Sequence, residues 1–294
     1  MHAHPDDETI NNGATMARYV AEGHQVTLVT CTAGERGQVL VPELEHLRHD
    51  NDDALGPHRR QELAAAMAEL GVTDSRFLGG FGRFHDSGME WHEEGYAIAG
   101  DDRHDEAFWD ADLTQAADLL VAIIREVRPH ALVTYDQFGG YGHPDHIQAH
   151  RVAMYAASLA GVTSYRRDLG EPWDVPKIYW NAMSETRMRE VIRRMREEGD
   201  EETFAGIDPD GPMPPFVTPD DLISTRIDAR EYAATKLRAL KLHATQVEAE
   251  GPLFSGIESG QSEWGEEDYR IAKGVAAPGP GGYETDLFAG LEAT

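Results

Sequence analysis

The chain has 294 residues, of which 40% are hydrophobic, and its 53 acidic and 26 basic residues give a net charge of −27. This acidity argues against nucleic acid and anionic membranes as partners, because no basic surface is available to neutralise phosphates. No apolar run approaches the roughly 18 residues that span a bilayer, and we expect no secretory signal. The single cysteine, Cys31, excludes an internal disulfide framework and indicates a reducing compartment. We therefore expect a cytoplasmic protein.

Residues 3–8 (Ala-His-Pro-Asp-Asp-Glu) place one imidazole and three carboxylates within five positions, almost at the start of the chain. Histidine nitrogen together with carboxylate oxygen suits zinc when one coordination position is left for water. An acidic helix start after Pro5 explains the same residues without any metal. Taken alone, the stretch favours neither interpretation, and the remainder of the chain has to decide between them.

Helices and short β-branched strands alternate through the first 160 residues. Periodicity predicts helices at 14–22, 59–70, 113–127 and from 144 to about 160, and strands at 25–31, 76–78 and 130–135. This alternation predicts an α/β fold with a Rossmann-like, mostly parallel sheet flanked by helices. In such sheets, ligands bind beyond the carboxyl ends of the strands. Residues 38–58 and 90–110 are acidic and irregular, which is typical of surface loops.

The last third of the chain is less regular. It contains a predicted strand at 177–183, a charged helix at 185–197, a Pro/Gly/Asp-rich loop at 206–220 and a helix at 228–242. We expect residues 1–165 to form the metal-binding catalytic core. Residues 166–294 are expected to pack on that core as part of one integrated domain and to complete the substrate pocket.

The first strand of this fold is predicted to be missing or truncated. Only Met1, His2 and Ala3 precede His4. In a parallel sheet, a loop at a strand end is supported by its strand. We therefore expect the acidic stretch to lack support from the sheet.

A second motif, His143-Pro144-Asp145-His146, repeats the same chemistry directly after a glycine-rich turn. Asp145 is also a suitable helix N-cap, so this motif alone has an ordinary structural explanation. Two His/Asp motifs at strand-to-helix junctions of one parallel sheet nevertheless predict a shared metal site. Open hydrolytic metal sites combine three protein ligands with a water molecule.

Together, the two motifs resemble the PIG-L/LmbE-like family of zinc-dependent N-acetylglucosamine deacetylases. The similarity extends over nearly the whole chain and includes Arg59 with Glu62 and Leu63, and residues 86–89, 128–130, 139–146, 243–246 and 284–287. It is greatest for the members that act in mycothiol biosynthesis. The resemblance therefore implies hydrolysis of the N-acetyl group of 1-D-myo-inosityl 2-acetamido-2-deoxy-α-D-glucopyranoside, which releases acetate and the free amine.

The resemblance also implies a metal-binding set. One zinc ion per subunit would be held by His4, Asp7 and His146, with Glu8 supporting these ligands from behind. Iron(II) suits the same two imidazoles and carboxylate, so the choice of metal stays open.

Further roles follow from the family pattern. Asp6 would be the general base, and His143 the general acid with its ring oriented by Asp145, while Tyr141 would stabilise the oxyanion. Contacts to the small amino-sugar inositol substrate are expected from Arg59, Asp86, Met89 and Gln246, whereas His130, His150 and His243 are expected to be structural.

Three other functions use parts of this pattern. A mycothiol S-conjugate amidase shares the metal motifs, but Asn11, Asn12, Gly142 and residues 86–89 favour the deacetylase. A non-catalytic carbohydrate- or metal-binding module is disfavoured, because every catalytic position is present. A phosphoesterase requires two metals about 4 Å apart, for which Glu8 and Asp145 supply spare carboxylates. The oligomeric state is not predicted.

Overall fold

A computed structural model of the chain describes residues 1–48, 54–197, 199–201, 206–247, 262–279 and 281–291. Its helices are α1 (Asp7–Ala21), α2 (Leu55–Leu70), α3 (Leu113–Val127), α4 (Gly139–Gly142), α5 (Pro144–Ala160), α6 (Glu185–Glu197) and α7 (Ala233–Lys241). Its strands are β1 (Thr27–Thr30), β2 (Asp74–Phe77), β3 (Glu90–Trp91), β4 (Ala97–Ile98), β5 (Ala131–Thr134), β6 (Lys177–Ala182), β7 (Thr225–Asp228) and β8 (Glu266–Lys273). Short 3-10 helices lie at Pro42–Leu47, Phe108–Asp110, Arg167–Leu169, Asp220–Leu222, Arg230–Tyr232 and Ser262–Gly265.

Four of the strands form two parallel pairs, and two antiparallel strands extend one of these pairs into a larger sheet. β1 pairs with β2, and β5 pairs with β6, both in parallel. β8 runs antiparallel between β6 and β7, so the larger sheet has the order β5-β6-β8-β7. A separate antiparallel hairpin joins β3 and β4 within the predicted loop 90–110. The predicted α/β fold is confirmed.

Residues 1–3 pair with the edge of β1. His2 and Thr30 form a parallel bridge, in which the His2 N–H donates to the carbonyl of Val29 at 2.9 Å. The carbonyl of His2 accepts from the N–H of Cys31 at 3.0 Å. These bonds continue the β1–β2 pair by one more extended segment.

The other edge of the same segment faces β5. The amino group of Met1 donates to the carbonyl of Val133 at 2.7 Å. The N–H of Ala3 donates to the hydroxyl of Tyr135, just beyond β5, at 2.9 Å. Residues 1–3 thus bridge the two sheets, and the expectation that the acidic stretch lacks support was wrong.

Helices cover both faces of the sheet. Along β1, Leu28 packs with α1, α2 and α7, whereas Val29 packs with α3 and α5, because successive side chains of a strand point to opposite faces. The face of α5 that meets α3 is rich in alanine. The largest cluster accordingly includes Ala149, Ala153, Ala156, Ala157 and Ala160, all buried.

The predicted helix bounds are confirmed for α3 and α6. α1 begins at Asp7 rather than at 14, because acidic residues in a first turn interact favourably with the helix dipole. α2 begins at Leu55 rather than at Arg59, since Pro57 is tolerated in the first turn of a helix. The helix predicted at 228–242 is shorter, and its first residue belongs to β7.

β8 was not predicted from the sequence. Its residues Glu267 and Asp268 are buried, a placement that a hydropathy pattern does not indicate. Lys236 lies 2.7 Å from the carboxylate of Glu267, and Arg226 lies 2.8 Å from that of Asp268. Ion pairing therefore allows an acidic segment to occupy an inner strand.

Part of the predicted loop 38–58 lies outside the described residues, and the division of the chain at residue 165 stays a prediction. No helix in the described ranges is long and apolar enough to cross a membrane.

A buried ion pair attaches the C-terminal segment to the larger sheet. The carboxylate of Glu284, fully buried, accepts from the ammonium group of Lys177 on β6. It also accepts from the hydroxyls of Tyr179 at 2.6 Å and Thr225 at 2.9 Å. These contacts hold the segment around residue 284 against β6 and β7.

We expect Glu284→Ala to lower the free energy of unfolding by about 3–5 kcal/mol, because the buried ammonium of Lys177 loses its counter-charge. As a control, Asp174→Ala breaks the exposed pair with Lys273 and should cost less than about 1 kcal/mol. Urea denaturation of both variants at pH 7 measures the difference. Equal losses in the two variants would contradict a structural role for the buried pair.

Candidate metal and catalytic site

Two helix N-termini bring the sequence motifs together. Asp6 immediately precedes α1, while His143 caps α5 by accepting the N–H of Asp145 on its Nδ1 at 3.1 Å. Residues 1–3 and β5 are neighbours in the sheet, so the chain leaves both at the same edge. The positive ends of the two helix dipoles therefore face a common site, where they favour carboxylates.

His4, Asp7 and His146 meet around one carboxylate oxygen. Oδ2 of Asp7 lies 3.2 Å from Nδ1 of His4 and 3.4 Å from Nε2 of His146. Separations of this size are those of neighbouring ligand atoms in a tetrahedral zinc site, with bonds of about 2.0–2.2 Å. All three side chains are buried. The structure brings the predicted metal ligands together.

The ring of His146 is oriented so that one nitrogen stays available. Its Nδ1 lies 3.1 Å from the carbonyl of Gly139. Its Nε2 is buried and lies 3.4 Å from Oδ2 of Asp7, but among the described residues it makes no hydrogen bond. A buried nitrogen without a hydrogen bond is costly, and a cation bound there would remove that cost. The donor set therefore fits a divalent metal.

Donor atoms also approach one another in other combinations. Two groups of side chains have donor atoms within 4.8 Å of one another. The first is His4 with His143 and His146, and the second is His4 with Asp86 and Asp145. In the first group, Nδ1 of His143 is already used by the N–H of Asp145. His143 therefore stays the predicted proton donor, and Asp7 stays the third ligand of the predicted set.

The opposite side of the His4 ring faces two carboxylates. Its Nε2 lies 3.2 Å from Oδ2 of Asp145 and 3.6 Å from Oδ1 of Asp86. Burial opposes a charge on His4, but Asp86, Asp145 and Asp7 outweigh that effect and raise its pKa well above the usual range. An imidazole held by a carboxylate on one nitrogen presents its other nitrogen to a metal.

Asp145 is itself fixed by Ser87. Its buried carboxylate accepts from the Ser87 N–H at 2.9 Å and from the Ser87 hydroxyl at 2.5 Å. Asp145 contacts His143 through its backbone N–H, whereas its carboxylate is directed at His4. The structure thus places the Asp145 carboxylate at the ring of His4, a predicted metal ligand, and the Asp145 N–H at the ring of His143, the predicted general acid.

Asp6 has a strained backbone and a perturbed carboxylate. Its φ of 120° lies in a region that favours glycine. The N–H of Asp6 is held by Oε2 of Glu8 at 2.9 Å, and its Oδ2 lies 3.0 Å from the guanidinium of Arg59. Burial raises the pKa of Asp6 to about 6, with Arg59 opposing and Asp7 reinforcing the rise. A carboxylate with a pKa near neutrality is well suited to general-base catalysis.

A buried ion pair between Glu8 and His243 stabilises the backbone position of Asp6. Nε2 of His243 lies 3.0 Å from Oε1 of Glu8, and the hydroxyl of Thr9 donates to the same oxygen at 2.6 Å. Burial opposes both charges, but His243 lowers the pKa of Glu8, and Glu8 raises the pKa of His243. The pair holds Glu8 where it fixes the backbone of Asp6. His243, which was predicted to be structural, thus supports the position of Asp6 through Glu8.

Two of the predicted substrate contacts lie on the loop after β2. Asp86 is buried beside His4, and its Oδ2 accepts from the N–H of Arg36 at 3.1 Å. Burial opposes its charge, but His4 and His143 lower its pKa. Met89 is exposed to 38%. Asp86 thus belongs to the floor of the site, whereas Met89 lies towards solvent.

The other two predicted contacts, Arg59 and Gln246, lie on either side of the loop after β1. Arg59 is buried and donates to the carbonyl of Gly34 at 2.7 Å, as well as to Asp6. Gln246 donates to the carbonyl of Gln38 at 2.9 Å. A Cβ at Gly37 would lie 2.7 Å from a side-chain atom of each, so the glycine allows both to approach the loop.

The ring of Tyr141 lies edge-on to the rings of both histidines of the second motif. Its ring centroid is 5.2 Å from that of His146 and 6.1 Å from that of His143, with nearly perpendicular planes in both cases. Burial raises its pKa, and Asp7 and Asp6 add to the rise. The phenol therefore stays protonated and can donate a hydrogen bond to a developing oxyanion.

Tyr135 is a site residue that the sequence did not reveal. Its ring stacks on His146 with centroids 4.3 Å apart and planes 16° apart. Its hydroxyl accepts from the N–H of Ala3, and burial together with the nearby carboxylate of Asp7 raises its pKa. As the last residue of a predicted apolar strand, Tyr135 was indistinguishable from core. Its position at the carboxyl end of a parallel strand was the available signal.

Comparison with known proteins now identifies the family. The sequence profile described as "PIG-L: GlcNAc-PI de-N-acetylase" matches residues 1–157. A protein from Nocardioides sp., named 1D-myo-inositol 2-acetamido-2-deoxy-alpha-D-glucopyranoside deacetylase, is 64% identical over 293 residues, covering 99% of this chain and 97% of the relative. The chain belongs to the PIG-L family.

Other relatives extend this assignment. A protein of the same name from Kribbella flavida is 62% identical over 292 residues, covering 99% of this chain and 96% of the relative. Among solved structures, the N,N'-diacetylchitobiose deacetylase from Pyrococcus horikoshii has a TM-score of 0.60 at 16% identity, covering 92% of this chain and 81% of that one. That similarity shows that the two chains share a fold.

We expect Asp145→Asn to weaken zinc binding by about 10–100-fold, because a neutral amide orients the ring of His4 less strongly than a carboxylate does. Ser87→Ala should weaken binding in the same direction, since it removes one of the two bonds that fix Asp145. Zinc affinity is measured by competition with a chromogenic chelator.

Asp112→Asn is the matched control for this experiment. It makes the same substitution at the exposed N-cap of α3 and should leave zinc affinity within about twofold. Unchanged affinity in Asp145→Asn would contradict the role assigned to Asp145.

Proposed function

We propose that this PIG-L family protein is a zinc-dependent deacetylase of mycothiol biosynthesis. Its substrate is 1D-myo-inositol 2-acetamido-2-deoxy-alpha-D-glucopyranoside, from which it releases acetate and the free amine. The observation that carries the proposal is the 64% identity, over nearly the whole of both chains, to a relative of that name. The buried His/Asp donor set supports it independently. A cytoplasmic location, indicated by the single cysteine, is part of the same proposal.

Zinc held by His4, Asp7 and His146 would supply a Lewis acid and lower the pKa of a water molecule. Asp6, adjacent in sequence to the ligand Asp7, accepts the proton of the attacking water. The water oxygen then forms a bond to the amide carbon, and negative charge develops on the carbonyl oxygen. The phenol of Tyr141 donates a hydrogen bond to that oxygen.

The departing amine requires a proton, and Asp6 holds the one that it took from the water. His143, the predicted general acid, is neutral before reaction, because burial together with the neighbouring His4 and His146 lowers its pKa well below the usual range. Since Nδ1 accepts the N–H of Asp145, the hydrogen of the neutral ring is on Nε2, and it donates a hydrogen bond to the leaving nitrogen. As the C–N bond breaks, the nitrogen receives the proton from Asp6, and acetate and the amine are released.

Acetate release after metal removal tests the catalytic assignment. We expect the chelated protein to lose activity and to regain it with one equivalent of zinc per chain. Asp6→Asn should lower kcat by at least about 100-fold while zinc content stays at one per chain, because it removes the base but no ligand. Asp112→Asn again serves as the control. Full activity in Asp6→Asn would exclude Asp6 as the base.

Substrate ranking separates the deacetylase from the S-conjugate amidase, the alternative within the same chemistry. We expect kcat/KM for the N-acetylglucosaminyl-inositol to exceed that for a mycothiol S-conjugate. The identity to relatives with the deacetylase name supports this order. The measurement is initial rates on both substrates at one zinc concentration, and the reverse order would reject the proposed substrate.

A further inference from the structure

Two aromatic rings lead outward from the catalytic residues. Trp91, on β3, stacks on Tyr141 with centroids 5.8 Å apart and planes 28° apart. The ring of Tyr141 in turn contacts that of His146, with centroids 5.2 Å apart. Trp91 is therefore only two ring contacts away from a proposed zinc ligand. Trp91 is not among the residues with a proposed catalytic, metal-binding or substrate-binding role.

The hairpin that carries Trp91 is attached to the turn that carries Tyr141. Trp91 pairs with Ala97 across β3 and β4. The carbonyl of Ala97 lies so close to Gly142 that a Cβ there would be 2.7 Å away. Next to Ala97, the ring of Tyr96 meets that of Phe138 edge-on, with centroids 6.2 Å apart. These contacts hold the hairpin, and with it the indole of Trp91, against residues 138–142.

Exposure rises along the segment that leads away from the metal ligands. Asp86 is buried beside His4, Met89 is exposed to 38%, and Trp91 is exposed to 62%. Because Trp91 stacks on a residue of the catalytic site, its exposed surface is a candidate contact for a ligand bound there. One face of the indole covers Tyr141, and the exposed remainder of its surface is available to a molecule that extends out of the site.

The chemistry of the proposed substrate matches this arrangement. Hydrolysis requires the amide of the glucosamine ring to reach His4 and Asp7, and the inositol ring lies one glycosidic bond further away. A cyclitol presents C–H groups on its faces, and these carry partial positive charge that is attracted to the negative face of an indole. An aromatic ring at the outer end of the site is placed to receive that second ring.

We propose that Trp91 binds the inositol ring of the substrate by stacking, and that it thereby makes the enzyme prefer the two-ring substrate to N-acetylglucosamine alone. This inference rests on the proposed function, since it assumes that the amide of a glucosamine ring is hydrolysed at the zinc site. It adds a specificity-determining residue to that reaction.

Kinetics of Trp91→Ala and Trp91→Phe on two substrates test the inference. The substrates are the N-acetylglucosaminyl-inositol and the methyl α-glycoside of N-acetylglucosamine, which lacks the second ring. We expect Trp91→Ala to raise KM for the two-ring substrate about 5–10-fold with little change in kcat. Its kcat/KM for the methyl glycoside should stay within about twofold of wild type, and Trp91→Phe should recover most of the loss.

Glu93→Ala, an exposed substitution in the same hairpin, is the control and should behave as wild type on both substrates. An equal loss on both substrates in Trp91→Ala would overturn the inference, because Trp91 would then act by supporting Tyr141. No change on either substrate would overturn it as well.

Failure of the proposed function would look different: the wild-type protein would release no acetate from the two-ring substrate. Calorimetric binding of the amine product to wild type and Trp91→Ala then decides the role of Trp91 separately. Weaker binding to the variant by about 5–10-fold supports the inference, and equal or absent binding overturns it.

Discussion

The hydrogen bonds of residues 1–3 to strands on both sides determine where the catalytic site of this PIG-L family protein lies. One edge of this short segment pairs with β1, and the other contacts Val133 and Tyr135. His4 and Asp7 therefore emerge next to the loop that follows β5, which carries His146. Without this bridge, the two halves of the donor set would belong to separate sheets, and no single ion could contact both.

The site concentrates carboxylates that the protein only partly neutralises. Several acidic groups of the site are buried, and specific donors hold three of them: Ser87 for Asp145, Arg36 and Gly88 for Asp86, and His243 for Glu8. Burying charges without full compensation is costly. That cost is visible in the raised pKa of Asp6, and a bound divalent cation would reduce it. The same electrostatics that favour a metal also prepare Asp6 to act as a base.

The sequence predicted the chemistry of the site better than its supporting contacts. The placement of two His/Asp motifs at strand-to-helix junctions predicted a shared metal site, and the resemblance to the family supplied the set of His4, Asp7 and His146 that the structure brings together. The support given by residues 1–3 could not be predicted, because three residues are too few to show strand periodicity. The partner of the Asp145 carboxylate was also beyond prediction, since it depends on the approach of Ser87 from a distant loop. β8 was missed because ion pairs, rather than apolar side chains, allow its acidic residues to be buried.

The central claim is that one metal ion joins the two motifs through His4, Asp7 and His146. An anomalous difference map at the zinc absorption edge, from crystals grown with one equivalent of zinc per chain, tests it most directly. We expect a single peak at about 2.0–2.2 Å from a nitrogen of each histidine and an oxygen of Asp7. A peak placed instead among His4, Asp86 and Asp145 would contradict the claim, and so would two peaks of equal height.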